Sequence, residues 1–158
     1  MRLMLATLLT TTVATQALGQ SDVVRAGGAE FFGVKTYWAE KREGCQPMIS
    51  LKIKNPSSGD LGPIALHLDV VDKDKNAVFA RGLASVPSTD LPPGRTKDIA
   101  IGGDHDITAH ECLGDMHETA FSGIHFAVRL IATAGPGAAS VEIVRDEAMK
   151  EELVREQN

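Results

Sequence analysis

Residues 49–54 alternate strictly: Ile49, Leu51 and Ile53 are apolar, while Ser50, Lys52 and Lys54 are not. A period of two puts every second side chain on the same face of an extended chain. The segment therefore predicts a strand with one face in a core and the other in water. The pattern recurs along the chain. Ile64, Leu66, Leu68 and Val70 alternate with Ala65, His67, Asp69 and Val71. Phe32, Val34, Thr36 and Trp38 fall on one face of 31–38, and Phe126, Val128 and Leu130 on one face of a strand predicted over 121–132. Residues 78–86, 97–101 and 141–144 read as shorter strands. No helical segment separates one strand from the next, which excludes a parallel, doubly wound sheet. About seven short strands with turns every eight to twelve residues predict an all-β fold, an antiparallel β-sandwich.

Turn chemistry marks the corners. Asn55-Pro56-Ser57-Ser58-Gly59-Asp60 ends one strand, because Pro fixes its own φ and Gly permits a positive one. Asp72-Lys73-Asp74-Lys75-Asn76 is a polar hairpin. It begins like a calcium loop, but Ala77 stands where the sharp turn needs Gly and Leu83 where a closing Glu is needed. Leu91-Pro92-Pro93-Gly94 cannot lie in a central strand, since each Pro removes a ladder donor. Residues 21–30 read as a loose entry and 39–44 as a charged loop. Residues 145–158 change character: they are rich in Glu, with Lys, Met and Leu, and Ala148, Met149 and Leu153 form a thin apolar stripe. That predicts a short C-terminal helix or tail.

The first residues bound the compartment. Met1 and Arg2 open a mostly apolar run, and Ala17-Leu18-Gly19 supplies small residues before Gln20. Residues 1–19 have the layout of a secretory signal peptide, which predicts a periplasmic or secreted protein with its β-domain over 20–144. Six Thr and Gln residues interrupt the run, which argues against a spanning anchor. Beyond the leader, 15 Lys and Arg stand against 21 Asp and Glu. That sign argues against nucleic acid and against anionic lipid as partners. Two cysteines in an exported chain predict one disulfide, Cys45–Cys112. Closing a loop of roughly 67 residues stabilises a fold by about 4 kcal/mol on the chain-entropy view. A free thiol or a metal thiolate is the competing reading.

The order of corners in Ile49–Ile101 carries a resemblance. A strand ends in Asn55-Pro56-Ser57, the next ends in Val71-Asp72, a polar hairpin leads to a strand from Val78, and Leu91-Pro92-Pro93-Gly94 precedes the last. This stretch, about 50 residues, resembles the immunoglobulin-like envelope modules of bacteria, the FxLYD-like group among them, where N-x-S, D-x-x-G/N-x-V and L-x-P-G mark the same corners. The aromatic signature of that group is absent. The resemblance implies an immunoglobulin-like sandwich with a binding or scaffolding role outside the cytoplasm, and no catalytic residue.

One segment could carry chemistry. Residues 104–118 hold His105, His110, His117, Cys112, Met116 and five carboxylates. Imidazole, thiolate and thioether suit copper or zinc. His105, His110, Met116 and His117 are the candidate ligands, although the histidine spacings of five and seven match no single helical face. The alternative is a solvated loop pinned by the disulfide. No nucleophile elbow and no phosphate loop ending in Gly-Lys-Ser/Thr occurs in the chain. The expectation is a non-enzymatic module with no cofactor that meets an envelope protein partner. A periplasmic copper- or zinc-binding protein is the second reading.

Overall fold

The computed structural model describes residues 22–108, 126–135, 137–149 and 153–154. The chain runs through β1 (Val24–Ala26), β2 (Ala29–Lys41), β3 (Gly44–Lys54), β4 (Ile64–Asp72), β5 (Ala77–Val86), β6 (Thr96–Gly102), β7 (Ile107–Thr108), β8 (Phe126–Ala134), β9 (Ser140–Ala148) and β10 (Leu153–Val154). One sheet has the order β1-β2-β3-β6, with β7 paired to β3 and β10 to β2; the other has the order β5-β4-β8-β9. Their pairings are antiparallel, apart from the two-residue β10, which runs parallel to β2. Among the described residues no helix is long and apolar enough to cross a membrane.

The alternation seen in the sequence becomes the core. Phe31, Trp38, Ile49, Leu51, Ile53 and Ile101 from the first sheet join Ile64, Leu66, Leu68, Val70, Val128 and Leu130 from the second in one buried cluster. The polar residues between them face out. Burying a Leu or Ile side chain contributes roughly 1.5–3 kcal/mol, so this double layer is the main favourable term in folding.

Four local readings are corrected. Gly27 and Gly28, both at positive φ, close a two-residue turn between Ala26 and Ala29, so the entry is a hairpin rather than a loose segment. In β2 the predicted face is out of phase at its start: Phe31 is buried while Phe32 is half-buried. A bulge between Phe32 and Lys35, with Gly33 at φ +64°, shifts the alternation and brings Thr36 and Trp38 inward. Residues 39–41 extend β2, and the turn to β3 needs only Arg42 and Glu43, because Lys41 already pairs with Gly44. Among the described residues no C-terminal helix is formed. Arg145 to Ala148 belong to β9, and Leu153–Val154 pair with Trp38 and Ala39. Asp146 has a positive φ, which a right-handed helix cannot hold. Pairing along the open side of β8 outweighs the helix propensity of these residues.

Two of the crossovers between sheets, β3–β4 and β5–β6, are tied by one side chain. Asn55 directly follows β3 and is fully buried. Its Nδ2 donates to Gly59 O (2.9 Å) and Leu91 O (3.1 Å), and its Oδ1 accepts the Ser57 N–H and hydroxyl. Its main chain reaches the same places: Asn55 N donates to Arg95 O, and Gly94 N donates to Asn55 O. The β3–β4 and β5–β6 connections are thus held by one amide. Asn55→Ala leaves buried carbonyls without a donor and is expected to lower stability by roughly 2–3 kcal/mol in urea unfolding. Asn55→Asp should not rescue it, because a carboxylate cannot donate to two carbonyls.

Candidate functional site

The end of the sandwich where β7 leaves and β8 begins brings a carboxylate, an imidazole and a row of aromatic rings together. It is built on glycine and an aromatic row. After β6 the chain presses onto β5. Gly103 N donates to Pro47 O, and Gln46 Nε2 donates to Gly103 O (2.8 Å). Asp104 N then donates to Arg81 O, and Asp104 Oδ1 accepts the Arg81 N–H at 2.7 Å. Beyond it, the exposed His105 ring meets Phe79 edge-on, with centroids 5.5 Å apart and planes at 86°. Phe79 packs on Phe126 (4.8 Å), and Phe126 on Trp38 (5.6 Å). An imidazole open to solvent therefore stands at the top of an aromatic stack that runs into the core. Trp38 is core, at 2% exposure.

Of the predicted metal ligands, only His105 lies among the described residues; His110, Met116 and His117 lie outside them, as does His125. Among the described residues no group of three or more His, Cys, Asp or Glu side chains could hold a metal ion. Cys45 is buried at the start of β3, opposite Ile107 of β7. Cys112 lies outside the described residues.

The second sheet's outer face carries a charged group that strand patterning alone did not pick out. Asp69 Oδ1 lies 3.5 Å from Arg81 Nε and 3.6 Å from His67 Nε2. Arg129 stands opposite Asp69 on β8 and lies 3.9 Å from Glu142. Glu142 also accepts from Arg145, so the two acids of this face, Asp69 and Glu142, each meet more than one basic side chain. His67 lies on this outer face, not in a ligand cluster. The signal for the group was available in the outward-facing positions of β4, but its partners come from β5 and β8, and only the register brings them together.

The Asp72 hairpin has the chemistry of a turn. Asp72 Oδ1 accepts the N–H groups of Asp74 (3.0 Å) and Lys75 (3.1 Å), and Asn76 takes a positive φ. These contacts employ the carboxylate as the turn's own acceptor.

No family model matches the chain, and no curated protein does. Among solved structures it is similar to the solution structure of a protein from Arabidopsis thaliana, with 9% identity and a TM-score of 0.46, over 78% of this chain and 80% of that one.

The Asp72 carboxyl lies below its ordinary value of 3.8, first because it accepts the Lys75 N–H. Partial desolvation opposes this, and the Lys75 ammonium and the Asp74 N–H reinforce it. A depressed folded value means that the ionised form supports the turn. The support is complete above the ordinary value and is lost as pH falls through the lowered one. In an NMR titration the Asp72 carboxyl carbon should show a midpoint below 3.8, and the Asp74 and Lys75 amide shifts should follow the same midpoint. In Asp72→Asn that amide transition should be missing.

Proposed function

We propose that the chain is an exported, non-enzymatic, immunoglobulin-like β-sandwich module that binds or scaffolds another envelope component. The observation that carries this reading is how the interior uses its polar groups. Among the described residues the buried polar side chains are Thr36 and Asn55. Thr36 Oγ1 donates to Ala148 O and joins β2 to β9; Asn55 joins the two crossovers. Both hold main chain together.

The strand order supports the immunoglobulin-like comparison. β2, β3 and β6 follow the order of strands A, B and E, and β4, β8 and β9 follow C, F and G. β5 lies beside the strand equivalent to C rather than beside the one equivalent to E. Export is supported by residues 1–19, which lie outside the described residues. The Cys45–Cys112 bridge belongs to the same proposal. Cys45 is buried, no free cysteine occurs among the described residues, and Cys112 is the other of the chain's two cysteines.

The purified mature protein should retain a saturable partner from envelope extract and should turn over no hydrolytic or redox reporter substrate; measurable turnover would overturn the reading. A thiol assay should detect no free thiol without reductant and two with it. Two free thiols before reduction would remove the bridge.

The second reading, a copper- or zinc-binding protein, is favoured by the solvent-open His105 at the entrance of the segment that also carries His110, Met116 and His117. Calorimetry should then give micromolar or tighter binding that the triple variant His105→Ala/His110→Ala/His117→Ala abolishes. Unchanged binding in that variant sinks it.

A further inference from the structure

We infer that Gly102–Asp104 is a built-in guard on the open edge of β5 that prevents a second copy of this chain from adding its own β5 there. β5 is the terminal strand of its sheet. An edge strand offers a row of unpaired N–H and C=O groups, and folded proteins manage that hazard with charge, bulges or a covering loop. The edges of this molecule differ in which device they use. β9 carries Glu142, Arg145, Asp146 and Glu147, and β6 carries Lys97 and Asp98. β5 carries a single charge, Arg81, and Leu83-Ala84-Ser85-Val86 has none. A short apolar stretch of that kind is well suited to self-pairing.

The register shows which groups face outward. From Ala80 to Val86 the pairing with β4 is regular. Arg81 spends its N–H and its carbonyl on Asp104, not on β4. In an antiparallel ladder the outward positions recur every second residue, so those of Leu83 and Ser85 point the same way. Leu83 is 80% exposed. Two antiparallel copies of β5 centred on Leu83 would set Arg81 of each opposite Ser85 of the other, a self-complementary two-fold contact. Asp104 blocks both ends of that contact, because its carboxylate and its N–H stand where the incoming strand's carbonyl and amide would be.

The guard is anchored and closely fitted. Gly103 is bonded through both its N–H and its carbonyl to Pro47 and Gln46 of β3. A Cβ on Gly82 would lie 2.4 Å from Gly102 O, and one on Gly103 would lie 2.8 Å from the Ala80 Cβ. Glycine at both positions lets the segment approach β5 at main-chain distance, which a side chain at either would prevent. This role is independent of what the module binds.

The test is the association state of the purified protein across a concentration series in the ultracentrifuge. Asp104→Ala should tighten self-association at least about tenfold relative to the unaltered chain, the effect of one hydrogen bond to a charged group. Adding Leu83→Lys should reverse it. Equal association of Asp104→Ala and the unaltered chain overturns the inference, as does association that survives Leu83→Lys. Amide exchange on the unaltered chain provides a check that needs no variant. The Arg81 amide should be protected while the Leu83 amide exchanges freely; equal exchange at the two also overturns it.

Discussion

Asn55 is the contact on which the arrangement of the two sheets depends. A sandwich of this topology leaves one sheet and enters the other twice between β3 and β6. Each crossover must be held at a defined length, or the strands it joins slip and turn their apolar faces outward. One fully buried amide reaches both crossovers and also caps its own turn through Ser57. The prolines on either side, Pro56, Pro92 and Pro93, stiffen the same corners. Rigid turns and a shared hydrogen-bond centre therefore set how the layers lie on each other, while the apolar faces supply most of the favourable free energy.

The opposite rim is built differently. There the aromatic row from Trp38 through Phe126 and Phe79 to His105 extends the core to the surface, and glycine lets the end of β6 lie against β5. The two ends thus serve separate needs. The Asn55 end fixes register, and the His105 end closes the core with aromatic rings. A module organised in this way can vary one rim without disturbing the layer geometry set at the other.

The strands with clean alternation, β3 and β4, were legible in residues 49–54 and 64–71, and their inward sets are the observed core. The corners at Asn55 and Asp72 were legible as turns, since their side chains bond to main chain within a few residues. The start of β2 was misread because a bulge at Gly33 changes which residues share a face. The C-terminal residues were misread because Glu, Lys and Met favour a helix in isolation, whereas β9 answers to an open strand edge. Of the candidate metal ligands, only His105 falls where its surroundings are described, and it stands against an aromatic ring.

Local sequence was enough to determine an all-β chain, the inward faces of its clean strands and the places where it turns, because these follow from side-chain alternation and from the preferences of Pro, Gly and Asn within a few residues. Tertiary structure alone decided that β6 returns to β3 and β8 to β4, that one amide serves two crossovers, and that Asp104 closes the edge at Arg81. Each of these joins residues more than twenty positions apart, and such pairings depend on which surfaces remain unpaired once the sheets have packed.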